Sequence, residues 1–514
     1  MRRSLALTIT AACAAAVLAL APHHALAQEA PAAPAPRATP TPIPLPRTPD
    51  AITHHAVTIG GTRIAYTARA GRITLRDAQN APNASMFYTA FTKDGAPLGK
   101  RPVTFFWNGG PGSSTIYLRM GAFAPMRVLV PSDGSQPRPD APLIENQQSL
   151  LDVSDLVFVD AIGTGWSTIA GHGKGSDFWG IDEDAKAFAQ FIERYEAQFG
   201  RGVSPTFLFG ESYGTTRAAN VANVLENDGL AVRGVVLQSS ALNYDVLPIG
   251  AGPGEDLATI GYLPTEAAVA WYHHKVPNRP ASLERFMADA RTFAGGEYAR
   301  ALRMGDKLDP NERRHIIDRL HAFTGLDETY IDNADLRIDP NRFMSQLLRA
   351  EGLAVGRYDG RYVLPEPDRN TTNPTYDASD TNINAAFSMN WTHYAHDVLG
   401  YHEDRAYDLL DIAVNQNWKY QRGTDSNSPN VLGDLRDAMN ENPYLHVFSA
   451  NGYYDLATSF YGTENGLEHL GLNAQGRSRL HFGFYPSGHM IYLNNAALIT
   501  FKKDLIAFYA DALR

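Results

Sequence analysis

The sequence predicts an α/β protein: a mostly parallel central sheet with helices on both faces, interrupted by a long, mainly helical insertion. Three observations predict it. Short apolar runs that read as buried strands alternate with helical stripes. A G-x-S-x-G pentapeptide joins one such run directly to one such stripe. Between 243 and 435 the alternation gives way to long helical patterns, and it resumes afterwards.

The elements follow in order. Arg2 and Arg3 precede an uncharged run from Leu5 to Ala21, and Ala25-Leu26-Ala27 has the small-x-small form of a cleavage site. Residues 1–27 therefore read as an export signal, too short for a membrane span. Residues 28–51, with eight prolines between Pro31 and Pro49, read as an extended, disordered tether. The first part of the core spans 52–242. It opens with alternating residues from Ile52 to Phe91, with turn signals at Gly60-Gly61 and Ala70-Gly71, which predict antiparallel hairpins. Val103–Trp107, Leu156–Val159, Thr206–Phe209 and Val235–Leu237 read as buried strands. Apolar residues at 181, 185, 188, 192, 195 and 199 form a helical stripe behind Asp182 and Asp184. The insertion, 243–435, contains helical patterns at 281–303 and 311–324 separated by Pro/Asn/Asp-rich loops. The second part of the core, 436–514, holds strands at 444–448 and 480–484.

Composition excludes several functions. The formal net charge is −10, and because residues 1–27 hold two arginines and no acids, the chain after the signal carries −12. An acidic surface disfavours nucleic acid and anionic membranes as partners. The single cysteine, Cys13, lies in the signal, so the exported chain has neither disulfide nor thiolate ligand. No H-E-x-x-H or cysteine cluster is present; no metal and no cofactor is expected. Localisation is expected to be periplasmic or secreted, with no membrane span in the mature chain and the oligomeric state left open.

The chemistry centres on Gly210-Glu211-Ser212-Tyr213-Gly214. A strand that turns sharply into a helix needs glycines beside the turn residue, and the serine hydroxyl is then exposed at the strand tip. A hydroxyl is a weak nucleophile at neutral pH; it needs a base in hydrogen-bond reach and a carboxylate to fix that base's tautomer. Asp455 and His489 each follow one of the last two strands. Loop aspartates are commonly turn residues and histidines commonly surface residues. Here the order Ser212, Asp455, His489, each just past a strand, is that of the α/β-hydrolase arrangement. The oxyanion needs backbone N–H donors: Tyr213 is one, and the loop Asn108-Gly109-Gly110-Pro111-Gly112 supplies another.

Asn108–Ser114, Gly210–Gly214 and Gly488-His489-Met490, with the block Asp160–Ser167, resemble the serine carboxypeptidase family in its bacterial, cysteine-free form. The resemblance covers 54–245 and 440–510 well and the insertion poorly. It implies that Ser212 attacks a peptide carbonyl, His489 shuttles the proton and Asp455 orients the imidazole. Gly110 and Tyr213 amides would hold the oxyanion, and Asn108, the Gly109 amide and Glu211 would bind the terminal carboxylate of a peptide. Glu211 can donate to that carboxylate only while protonated, which favours acid pH. Three departures stand out. Ala122 occupies the place of a second, paired glutamate, removing one reason for a raised Glu211 pKa and leaving room for another group such as Arg119. Trp107 stands one place later than the family tryptophan, and Thr215 replaces a common glycine. The expected function is release of C-terminal residues through an acyl-enzyme. The alternatives are an esterase or acyltransferase with the same triad, or a non-catalytic binding module.

Overall fold

The computed structural model describes residues 41–514 except 249–251, 253, 381–382 and 424–427. The export signal and most of the tether thus lie outside the described residues. Pro42–Arg514 forms one compact unit.

Fourteen strands are present among the described residues. They are β1 (Ala51–Ile59), β2 (Thr62–Arg76), β3 (Pro82–Lys93), β4 (Val103–Trp107), β5 (Met126–Val128), β6 (Leu143–Glu145), β7 (Asp155–Val159), β8 (Thr168–Ile169), β9 (Thr206–Glu211), β10 (Val232–Gln238), β11 (Leu353–Val355), β12 (Val363–Pro365), β13 (His446–Gly452) and β14 (Leu480–Tyr485). The central sheet runs β1-β2-β3-β7-β4-β9-β10-β13-β14, with β8 paired to β3. From β7 to β14 the pairs are parallel, whereas β1, β2 and β3 form an antiparallel flank.

Local chemistry accounts for these elements. All five residues of β4 and of β7 are buried, as a parallel strand covered on both faces requires. Alternate residues feed two cores. Phe106, Phe209, Val236 and Phe448 pack towards the C-terminal helix (Asn495–Ala512) with Phe501 and Phe508. Phe105, Leu208, Val235 and Val447 pack towards α1 (Ile181–Phe199) and α2 (Tyr213–Asn227). Helix α1 spans the expected stripe; three acids complement the positive end of its dipole, and Gly200 in the left-handed region ends it.

Two details depart from the sequence reading. Ala70-Gly71 is not a turn but the middle of β2, which runs unbroken to Arg76. The Asp50 carboxylate lies over Gly71, where a Cβ would project. Within the stretch expected to be a tether, Ile43 exchanges two 2.7 Å hydrogen bonds with Gly171, and the Thr48 hydroxyl donates to Glu403.

Between β10 and β13 the chain leaves the sheet. Helix α3 (Leu257–Tyr272), further helices and the two-stranded β11–β12 hairpin fill this segment around an apolar cluster of their own. The connection from β4 goes outward to β7, and the chain then returns across β4 to β9. Strand order therefore reverses at β4, and open α/β sheets place their binding crevice beyond the strand C-termini at such a point.

Candidate active site

Four strand ends meet at this crevice. Beyond β9, Ser212 caps α2 with φ 62°, a left-handed conformation that costs a non-glycine residue of order 1–3 kcal/mol. The surroundings hold it there. A Cβ at Gly210 would overlap the Gly214 carbonyl, and one at Gly214 would overlap the Trp107 carbonyl, so both glycines of the pentapeptide are sterically required. The Trp107 indole donates to the Gly214 carbonyl (2.8 Å). Thr215 donates to the Ser212 carbonyl (2.7 Å) and accepts from the Ala241 amide, which gives its hydroxyl two partners at the elbow.

Beyond β13 and β14 lie Asp455 and His489. Asp455 Oδ2 accepts from His489 Nδ1 at 2.8 Å, and both side chains are buried. The remaining capacity of the carboxylate is filled: Oδ1 accepts from the Ala457 and Thr458 amides, and the Thr458 hydroxyl donates to Oδ2. Burial alone would lower the His489 pKa, but the charge and hydrogen bond of Asp455 outweigh it and the net shift is upward. Ser212 and His489 line one cavity. No hydrogen bond joins their side chains among the described residues; such contacts commonly tighten only when substrate is bound.

The glycine-rich loop lies against the elbow. A Cβ at Gly109 would overlap the Tyr213 amide, and Gly110 has φ 105°, a region that favours glycine. The loop is held from below. Arg217 of α2, ion-paired with Asp184 at 2.7 Å, donates to the Asn108 carbonyl at 2.8 Å.

Glu211 is buried under the same cavity. Its carboxyl accepts from Asn108 Nδ2 (2.7 Å) and from Gln238 Nε2 (2.8 Å). Burial pushes its pKa up to about 7, Asp455 adds to the rise, and His489, Tyr492 and Asn108 pull against it. Ala122 removes one reason for a raised Glu211 pKa, and desolvation is the larger one that remains. Arg119 is likewise not a cavity group. It is fully buried, paired with Asp160 at 3.0 Å and packed over Trp391, tying Asp160–Ser167 to the segment after the glycine loop.

Sequence reasoning missed two supports. Gln238, at the end of β10, donates to the His489 carbonyl (3.1 Å) as well as to Glu211, and Ser239 donates to that same carbonyl. The polar residue closing the Val235–Leu237 run was the available signal. The other support is the loop between β11 and β12. Tyr358 O accepts from the His489 amide at 2.6 Å, and Asp359, paired with Arg361, accepts from the Gly488 amide at 3.1 Å.

The described residues offer one candidate metal cluster, His446, His481 and Asp511, at the opposite end of the sheet. Its imidazole centroids are 5.6 Å apart and its nitrogens 3.3 Å apart. The same two nitrogens lie 3.6 and 3.5 Å from Asp511 Oδ2, and none of the three residues lines the Ser212–His489 cavity.

Comparison with known proteins agrees with this architecture. The sequence model of the family described as serine carboxypeptidase matches residues 65–244. The pheromone-processing carboxypeptidase KEX1 of Saccharomyces cerevisiae is 32% identical over 170 residues, 31% of this chain and 22% of that protein. Serine carboxypeptidase-like 36 of Arabidopsis thaliana is 25% identical over 176 residues, 33% of this chain and 34% of that protein. The matched stretches thus span between about a fifth and a third of these relatives' length. The crystal structure of the S. cerevisiae KEX1 carboxypeptidase superposes with TM-score 0.54 at 18% identity, covering 87% of this chain and 92% of that one, a likeness of fold. Residues 65–244, which hold the glycine loop and the Ser212 elbow, are thus the part of the chain similar to the serine carboxypeptidase family, and the fold as a whole is that of an α/β hydrolase.

Proposed function

We propose that this protein is an exported serine carboxypeptidase-like hydrolase that releases C-terminal residues from peptides through an acyl-enzyme. The observation that carries the reading is a single cavity lined by Ser212, His489, the Gly109-Gly110 backbone and Glu211. In this reading Ser212 Oγ attacks the scissile carbonyl while His489 takes its proton. Asp455 holds the imidazole in the tautomer with hydrogen on Nδ1 and stabilises the imidazolium. The Gly110 and Tyr213 amides receive the developing oxyanion. His489 then returns the proton to the leaving amine, and water repeats the sequence on the ester. Asn108, the Gly109 amide and protonated Glu211 receive the terminal carboxylate. No helix among the described residues is long and apolar enough to cross a membrane, and export rests on residues 1–27.

The test compares a peptide free acid with its C-terminal amide, reading released amino acid by mass. The free acid is expected to be the better substrate by at least tenfold, the worth of one charged hydrogen bond, ~1.5–3 kcal/mol. Equal rates would favour the esterase or acyltransferase reading. Ser212→Ala is expected to abolish both turnover and labelling by a fluorophosphonate; a wild-type chain that never labels would leave only a binding module.

A further inference from the structure

Arg357 is the only lysine or arginine lining the Ser212–His489 cavity among the described residues. It sits in the loop between β11 and β12, next to Tyr358, whose ring lies 5.2 Å from the His489 imidazole. The loop is pinned on both sides. The Arg357 amide donates to Asp377 (3.0 Å), the Tyr358 amide to Ser379 Oγ (2.9 Å), and the Tyr358 carbonyl accepts from the His489 amide. The backbone that presents this side chain is therefore as fixed as the imidazole itself.

The guanidinium, by contrast, is exposed. It leans over the Tyr358 ring, 5.1 Å from the centroid. Asp377 and Asp455 act on it electrostatically, yet among the described residues no carboxylate comes within ion-pair distance. Asp455 is committed to His489, and Asp380, also on the cavity wall, accepts from Asn384. Arginines elsewhere near the site are differently placed: Arg119, Arg217 and Arg361 are buried and each has its own aspartate. A planar fork of donors held beside the reacting centre, with the Tyr358 side chain against it but no carboxylate paired to it, matches the geometry of a carboxylate.

We propose that Arg357 is a specificity residue that binds a carboxylate of the peptide, either an acidic side chain beside the scissile bond or the chain terminus. The proposal rests on the peptidase reading above, and its test is separable from that reading. Binding is measured by calorimetry in the Ser212→Ala background, which needs no turnover. The ligands are acetylated tripeptides with Glu or Gln at the last or the penultimate position, each as free acid and as C-terminal amide. Adding Arg357→Ala is expected to weaken one carboxylate class by about tenfold to a hundredfold, the worth of a charge-assisted hydrogen bond, and the Gln amides by less than about twofold. A loss confined to Glu peptides assigns the side chain; a loss in all free acids assigns the terminus. Arg357→Lys should recover part of the affinity, and the melting temperature should stay at the parent value because the residue is exposed. An equal loss for all ligands, or no loss, overturns the proposal. If the binding pattern holds while wild-type protein releases no amino acid, the peptidase reading fails and the assignment of Arg357 stands.

Discussion

In the proposed mechanism Glu211 and His489 make opposite demands on pH, and Glu211→Gln isolates them. Glu211 donates to a peptide carboxylate only when protonated, and its pKa is pushed up to about 7 by burial. His489 accepts the Ser212 proton only when neutral, and its pKa is raised, with Asp455 outweighing desolvation. Activity on free acids should therefore climb as pH rises through the His489 value and fall as it rises through about 7. The two groups also raise and lower one another, so protonated Glu211 with neutral His489 and ionised Glu211 with imidazolium carry the same number of protons. The wild type cannot populate the productive form fully at any pH, and its limbs are macroscopic. An amide at 211 donates at every pH. For a carboxyl of pKa near 7, about one molecule in eleven is protonated at pH 8, so kcat/KM of the variant on a free acid should exceed wild type by about tenfold there, and match it near pH 5. The readout is kcat/KM from pH 4.5 to 9 on a peptide free acid and on the corresponding ester, which has no carboxylate and should show no gain. Parallel profiles for the two proteins on the free acid would refute the role given to Glu211.

Three further substitutions probe the supports. Asp455→Asn presents a donor to Nδ1 and stabilises the wrong tautomer, so kcat should drop by about 10⁴ with the fold intact, checked by stopped assays and circular dichroism. Gln238→Leu leaves Glu211 Oε2 without its Gln238 donor and removes one of two donors from the His489 carbonyl. A buried acceptor left unpaired costs about 1–3 kcal/mol, so urea unfolding should show that loss, and the alkaline limb should move to higher pH as the carboxylate form becomes harder to hold. Asp359→Asn uncouples Gly488 from its anchor and leaves Arg361 buried without its countercharge. A destabilisation of about 3–5 kcal/mol is expected, with slower fluorophosphonate labelling of Ser212 well below the melting temperature.

Much of the core was legible because its signals are local. Val103–Trp107 could be read as a buried strand because five apolar residues sit between polar punctuation, and Ile181–Phe199 as a helix because its stripe, its acids and its terminal glycine agree. The elbow was legible because a strand, a glycine-flanked serine and a helix follow one another directly, and Gly210 is needed by the motif's own Gly214 carbonyl, although the neighbours that require Gly214 lie on the distant β4. What stayed hidden depends on contacts across long separations. Gly71 looked like a turn, since nothing near it in sequence reveals that Asp50 lies over it. The state of Glu211 was tied to a missing second carboxyl at Ala122, because burial at 211 is a property of the whole crevice. Arg357 lies 132 residues before His489 and carries no motif; only the docked hairpin brings it to the cavity.

That docking bears on how chemistry and selectivity divide along the chain. The family match covers 65–244, which supplies the glycine loop, Ser212 and Glu211. His489 lies outside it, and its backbone is held by two sources at once. The carbonyl accepts from Gln238 and Ser239, beside the end of β10, while the amide donates to Tyr358 in the insertion. The imidazole is thus positioned jointly by the sheet and by the inserted segment. An insertion free to diverge in its outer helices is constrained at this one loop, because shifting Tyr358 or Asp359 moves the base. The neighbouring side chain carries no such positional constraint: Arg357 faces the cavity and bears on the base through its charge alone, which lowers the His489 pKa. Position 357 is therefore where selectivity can change without moving the imidazole: a substitution that removes the charge should alter which peptides bind and, by lifting the repulsion on His489, move the acid limb to higher pH.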